Sequence, residues 1–223
     1  NLPEGVKITY KDAQGSHELN GDMCICTLPL PVLSNISNNF SGDVSRAIDY
    51  VGYIPTGKIG LQFKRRFWEE DEHIYGGITH TNNDLTQIFY PSYDYLGKKG
   101  ILIGYYNFNE KAQKIGALGY ADREKFALEK GRLIHPQYDK EFEGSFSVSW
   151  HKTKYNLGGW AVYNTETRKT QYPVLLKPDK QVYFAGEHLT YLNAWMAGAF
   201  ESARSTVAAL HARVSEQRIQ YKK

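Results

Sequence analysis

Apolar and polar positions change period several times along the chain. Residues 6–10 alternate, as in a half-buried strand, and Asp12-Ala13-Gln14-Gly15-Ser16 supplies turn residues. Residues 23–28 form a nearly continuous apolar run, which predicts a strand buried on both faces of a parallel sheet, ended by Pro29-Leu30-Pro31. Residues 44–50 predict a short helix. Alternation returns at 58–63, and 87–90 and 101–106 predict further strands, the last preceded by a Gly97-Lys98-Lys99-Gly100 turn. Residues 122–130 predict a helix capped by Asp122 and stopped at Gly131, with Phe126 and Ala127 inward. Residues 146–150 alternate as a strand, and 181–186 read as a buried strand. Residues 194–217 predict a long helix in which Ala199, Ala203, Ala208 and Ala209 allow close packing. The middle is thus β-rich with inserted helix, while the two ends suit a parallel α/β sheet. The expected class is α/β plus α+β, with residues 1–42 and 179–223 forming one domain interrupted by a second at 43–178.

Composition narrows the function classes. The chain has 223 residues, 41% hydrophobic and 23% charged, with a formal net charge of +3. That apolar content with so little net charge excludes a disordered chain. No apolar run reaches the roughly 18 residues of a membrane helix. Lys and Arg are scattered rather than striped, so neither nucleic acid nor a membrane is expected as a partner. Cys24 and Cys26 alternate within one predicted strand; i and i+2 Cα atoms lie about 6.5–7 Å apart, near the limit of disulfide geometry, so two buried thiols are expected and no zinc pattern is present. Asn35-Ile36-Ser37 and Asn39-Phe40-Ser41 fit the glycosylation rule, which is short enough to arise by chance. The opening Asn1-Leu2-Pro3-Glu4-Gly5 lacks Met, a basic segment and an apolar segment, so the chain is expected to be a processed piece of something longer. Secreted and cytoplasmic locations both stay open.

The stretch that carries chemistry is Tyr183-Phe184-Ala185-Gly186-Glu187-His188, followed by Trp195-Met196-Ala197-Gly198-Ala199-Phe200-Glu201-Ser202-Ala203. A buried strand ends in Ala-Gly, and Glu187 stands at its carboxyl end, where α/β sheets bind ligands. A short loop then leads to a helix start, whose free N–H groups and dipole favour negative charge. This joint pattern resembles the carboxyl-terminal signature of the flavin amine oxidase family. The likeness extends through Cys26-Thr27-Leu28-Pro29-Leu30-Pro31-Val32-Leu33, Thr56-Gly57-Lys58-Ile59, Arg66-Phe67-Trp68-Glu69, Phe89-Tyr90-Pro91, Ile103-Gly104-Tyr105, and Trp150 with Gly158-Gly159. It is most similar to the L-amino acid oxidase branch.

The resemblance implies roles residue by residue. Glu187 would accept hydrogen bonds from the ribityl hydroxyls of FAD, beside Gly186 and Ala199 of the motif. The backbone N–H of Met196 would face the flavin O2, and Trp150 would pack on the flavin. Lys58 would be the active-site lysine, linked through water to flavin N5. Tyr105 would bind the substrate carboxylate, Trp195 would form an aromatic wall, and Trp160 would line the substrate side-chain pocket. Ala194 stands where the family often has Gly. The implied activity is oxidative deamination of an L-amino acid, with noncovalent FAD and with O2 as acceptor. An amine oxidase, an amino acid 2-monooxygenase and a non-catalytic subunit are the alternatives. No Gly-x-Gly-x-x-Gly turn for the FAD pyrophosphate follows a suitable strand, and no carboxylate-clamping arginine aligns. Another chain or segment is therefore expected to supply the amino-terminal half, in a homo- or hetero-oligomer.

Overall fold

The computed structural model describes residues 1–220, with side chains through residue 217. Its strands are β1 (Val6–Asp12), β2 (Gly15–Gly21), β3 (Cys24–Cys26), β4 (Gly52–Tyr53), β5 (Thr56–Phe63), β6 (Ile78–His80), β7 (Gln87–Phe89), β8 (Gly100–Phe108), β9 (Phe142–Ser149), β10 (Ala161–Val162) and β11 (Val182–Phe184). Its helices are α1 (Leu30–Leu33), α2 (Gly42–Tyr50), α3 (Phe67–Glu70), α4 (Asn109–Gly116), α5 (Tyr120–Gly131), α6 (Tyr138–Glu141), α7 (Thr165–Thr170), α8 (Tyr172–Leu175) and α9 (Met196–Gln220). The chain divides into two units, residues 1–53 with 160–223, and residues 54–159.

In the first unit, β3 and β11 pair in parallel, with Ile25 opposite Tyr183, and β1 and β2 form an antiparallel hairpin. Its core gathers Leu30 and Leu33 of α1, Val44, Ala47 and Ile48 of α2, Tyr172 and Leu175 of α8, and Val182 and Phe184 of β11. This corrects the expected boundaries at 42/43 and 178/179. Helix α2 buries its apolar face on α1 and α8, so residues 43–53 and 160–178 belong with the chain ends. The long buried strand expected at 23–28 is only three residues, and its cysteines are free and half-buried. Desolvation pushes both thiols up from their ordinary range.

The second unit is a five-stranded antiparallel sheet, in the order β6-β7-β8-β5-β9, with one face covered by helices. Strand β5 alternates as its sequence does: Ile59, Leu61 and Phe63 are fully buried, while Lys58, Gly60 and Gln62 face the other way. The covered face packs these residues with Phe67, Trp68, Leu102, Ile115 of α4 and Ala127 of α5. Helix α5 starts earlier than expected; Gly119 is its N-cap residue and Asp122 lies within the first turn. A carboxylate there still favours the positive end of the helix. Strand β9 stops at Ser149, and Trp150 opens a 3-10 turn.

Candidate functional site

In the first unit, the end of β11 builds a polar knot around Glu187. Gly186 has φ +152°, and a Cβ there would lie 2.4 Å from the His188 ring, so only glycine fits this turn. Its N–H donates to Oγ of buried Ser202 on α9 at 3.1 Å, which fixes the strand end to the long helix. Glu187 then accepts through both carboxylate oxygens, from Ala161 N–H at 3.0 Å and from Ala194 N–H at 2.9 Å. Asn193 donates to the Ala161 carbonyl at 2.9 Å. Trp160 and Trp195 flank the two residues that Glu187 holds. Burial raises the Glu187 carboxyl above its ordinary range, opposed by the two backbone donors and by Arg168.

Arg168 lies over the rings of Tyr163, Tyr172 and Tyr191, 4.2–4.8 Å from their centroids, and donates to the Thr190 carbonyl. It thereby holds the loop that leads to α9. Leu192 O would lie 2.2 Å from a Cβ at Gly198, so that glycine lets the loop close onto the helix start. Ala194 has φ +71°, the left-handed region that glycine adopts most readily. Trp195 and Met196 follow, largely exposed, and Ala199 lies in the first turn of α9. This unit therefore gathers Gly186, Glu187, Trp160, Ala194, Trp195, Met196 and Ala199 around one strand end.

The second unit holds Lys58, Tyr105 and Trp150, and does not bring all three together. Lys58 stands on the face of the sheet opposite the helices, with Nζ 4.1 Å from the centroid of the Tyr106 ring. Half-burial lowers its pKa, and no carboxylate opposes that shift. Lys58 pairs with Tyr106 across β5 and β8, whereas Tyr105 pairs with Ile59 on the covered face. Tyr105 is 1% exposed, inside the core, with Ser147 and Arg123 near its hydroxyl. Tyr105, which the resemblance makes the substrate-carboxylate binder, thus shares no face with Lys58, and Tyr106 does. The cause is the bulge at Gly104, where Tyr105 and Ile103 oppose the adjacent Ile59 and Gly60. A ring contact 5.5 Å from Phe89 and another 4.6 Å from Phe108 set Tyr106 in an aromatic row. Trp150 follows Val148 and Ser149, the partners of Lys58 and Gly57.

The residues not foreseen from sequence are Tyr106, Phe108, Phe89, Asn193 and Arg168. Gly104 was the available signal for the first, since a glycine inside a strand marks a bulge. Nothing local signals Asn193, whose partner is distant; Arg168 has two tyrosines within five residues, but its contacts with Thr190 and Tyr191 carry no local mark. Among the described residues, no cluster of His, Cys, Asp and Glu could hold a metal, and no helix is long and apolar enough to cross a membrane.

Known proteins resemble the chain over most of its length. Residues 2–211 match the model of the flavin containing amine oxidoreductases. The flavin-dependent L-tryptophan oxidase RebO of Lentzea aerocolonigenes is 28% identical over 93% of the chain and 45% of its own length. The L-amino-acid oxidase of Siganus canaliculatus is 28% identical over 90% of the chain and 39% of its own. Among solved structures, cyclohexylamine oxidase from Brevibacterium oxydans superposes with a TM-score of 0.75 at 15% identity, over 94% of this chain and 46% of that one. The chain therefore spans under half the length of these relatives. With a family model matched over nearly its full length, this chain belongs to the flavin-containing amine oxidoreductase family.

Proposed function

We propose that the chain is the carboxyl-terminal part of a flavin-dependent L-amino acid oxidase, which converts an L-amino acid to a 2-oxo acid, ammonia and hydrogen peroxide. The observation that carries this reading is Lys58: a half-buried ammonium with no opposing carboxylate, held over the Tyr106 ring on the sheet face opposite the helices. The relatives named as L-amino acid oxidases favour this branch over simple amines.

The residues present fit a noncovalently held FAD. Glu187 accepts from two of the chain's own N–H groups and has the Tyr53 hydroxyl beside it, and since a carboxylate offers about four acceptor sites, one remains for a ribityl hydroxyl. The Met196 N–H lies at the start of α9, where no preceding turn accepts it and the helix dipole favours negative charge. Met196 and Trp195 are exposed there and available to a ligand. Gly186 and Ala199 shape this strand end and helix start. In the second unit, Trp150 would pack against the ring system. A bound flavin supplies the electron acceptor for the substrate Cα–H and passes the electrons on to O2.

The chain's own residues bind and orient. Tyr106 donates its hydroxyl to the substrate carboxylate, the role the family motif suggested for Tyr105. Lys58 positions a water and holds positive charge where O2 is reduced. Trp195 and Trp160 wall the substrate, with Ala194 setting the backbone beside them. The pyrophosphate turn and the carboxylate-clamping arginine come from a second chain or segment carrying the amino-terminal half. The β3–β11 pair favours such a partner, because parallel strands occur in larger sheets covered on both faces.

The test is spectral. The chain assembled with its amino-terminal half should be yellow, and an L-amino acid should bleach it anaerobically, with oxo acid and peroxide formed on admitting O2. A flavin-free assembly refutes the reading; amide plus CO2 would identify a monooxygenase. Lys58→Met should slow flavin reoxidation by O2 at least about tenfold, a loss near 1.4 kcal/mol of transition-state stabilisation; unchanged oxygen kinetics would remove Lys58 from this role.

A further inference from the structure

Strand β9 turns its polar residues toward the core. Ser145, Ser147 and Ser149 pair across the ladder with Leu61, Ile59 and Gly57, so all three face the helices, while Phe146 and Val148 take the other face. A hydroxyl under a helix needs a partner, and α5 supplies one at each end of the row. Ser145 donates to the Glu124 carboxylate at 2.7 Å and lies 2.9 Å from the Tyr120 hydroxyl. Ser149 accepts from Arg123 Nη1 at 3.1 Å. The middle serine is left over: among the described residues, the buried Oγ of Ser147 has no hydrogen-bond partner.

Two further atoms share that condition. Tyr105 stands in the same row, beyond Ile59, and its buried hydroxyl is unpartnered among the described residues. Burial raises this hydroxyl, and Arg123 and Ser147 pull it back, which places both beside it. Arg123 Nε is buried and unpartnered as well. The guanidinium has the Tyr120 ring 6.0 Å away, and the ion pairs of α5 pass it by: Lys125 meets Glu129, and Arg132 meets Asp139. A hydroxyl can accept or donate, but Nε–H only donates. Three donors thus lack an acceptor beside one uncompensated positive charge, all closed to bulk water. A buried charge is costly unless it is paired. A water would occupy the donors and leave the guanidinium unpaired; an anion does both. The Glu124 carboxylate over the next serine opposes a second negative charge, so the guest carries one.

We propose that the second unit binds one small monovalent anion, of the halide class, between α5 and β9, held by the Ser147 and Tyr105 hydroxyls and by Arg123 Nε–H. The site lies on the helix side of the sheet, across from Lys58, and its occupant ties α5 to the strand at the end of the sheet.

The test uses the assembled enzyme at constant ionic strength, with sodium chloride exchanged for sodium gluconate, whose anion is too large for the site. It needs no substrate, so it stands apart from the oxidase reading. The melting temperature should rise with chloride along a saturating curve, as for a ligand of the folded state. Ser147→Ala and Arg123→Gln should each raise the apparent dissociation constant from that curve by about 10- to 100-fold, as for loss of one hydrogen bond to a charged group. A crystal soaked in sodium bromide should show an anomalous peak within hydrogen-bonding distance of Ser147 Oγ. Equal melting in chloride and gluconate overturns the site, and so does a chloride response that both variants keep, which marks adventitious surface ions only. A bromide map without a peak at Ser147 also overturns it and leaves a water there. If Arg123→Gln fails to fold, Ser147→Ala and the bromide map decide.

Discussion

Two adjacent tyrosines make opposite predictions because a bulge turns their faces apart. Tyr106 lies over Lys58, and Tyr105 fills the core with a hydroxyl that makes no clear hydrogen bond. Tyr106→Phe should cost about 10- to 100-fold in kcat/KM for the amino acid, as for loss of a hydrogen bond to a charged group. Tyr105→Phe should leave kcat/KM within about twofold and stability within about 1 kcal/mol, since little is lost with that hydroxyl. Reversed outcomes in steady-state kinetics and urea unfolding would restore the motif-based choice. A second residue-scale effect belongs to His188, whose ring is buried with Nε2 unpartnered. Burial pulls its pKa from 6.5 down to about 4. Between those values the unfolded chain binds the proton and the folded one does not, so stability falls as pH drops from 6.5 toward 4 and levels off below. The span is on the order of 3 kcal/mol. Urea midpoints at pH 7 and pH 4.5 should differ for wild type and differ much less for His188→Phe; equal differences would place the titrating group elsewhere.

At the scale of elements, Glu187 acts as a staple between segments far apart in sequence. One carboxylate oxygen holds residue 161 and the other holds residue 194, so Glu187, with the Asn193 side chain on the Ala161 carbonyl, ties together the segments that carry Trp160 and Trp195. Glu187→Ala leaves two N–H groups without acceptors, at about 1–3 kcal/mol each. Hydrogen exchange at Ala161 and Ala194 should accelerate markedly while Ile59 and Leu61 in β5 stay protected; unchanged exchange would mean that other contacts hold the loop. This knot also shows what a sequence can disclose. The strand, the Gly186-Glu187 end and the long helix are legible because each is local: a buried run, a turn that only glycine fits and a helical stretch; the close packing expected of Ala203, Ala208 and Ala209 is not found, since all three are exposed. Strand β5 is legible for the same reason, through its strict alternation. Asn193 is not, since its partner lies about 30 residues away; Arg168 has Tyr163 and Tyr172 close by in sequence, but its hold on Thr190 and Tyr191 is distant, and the short strands β4 and β10 exist only through pairing with each other. The face of Tyr106 was hidden because alternation alone cannot count the residue that a bulge inserts. The boundaries at 53/54 and 159/160 were missed because α2 joins the first unit by packing, which leaves no local mark in composition.

For the whole molecule, the two units differ in how complete they are. The second has a five-stranded sheet, its own core from Ile59 to Tyr138, and ends tied together by Gly159 N–H donating to the Ile54 carbonyl at 2.9 Å. Excising residues 54–159 therefore cuts the chain at two neighbouring points and leaves every ladder of that sheet intact. Within the fragment, Arg66 and Glu69 stay paired although both are buried, and the Glu72–His135–Tyr90 hydrogen bonds stay closed. The first unit offers no such closure, because its parallel sheet has two strands and its β1–β2 hairpin exposes Ile8, Tyr10 and Leu19. Strand pairs of this kind are marginal alone and gain stability when further strands or a covering surface join them. The 54–159 fragment should thus unfold cooperatively, with coincident far- and near-UV circular dichroism transitions, as a small single domain does. A chain of residues 1–53 joined to 160–223 should show that cooperativity only when the amino-terminal segment proposed above is present. A fragment 54–159 with native-like far-UV signal but no near-UV signal would show that its core also needs the rest of the chain, and the contrast between a self-sufficient second unit and a partner-dependent first unit would then fall.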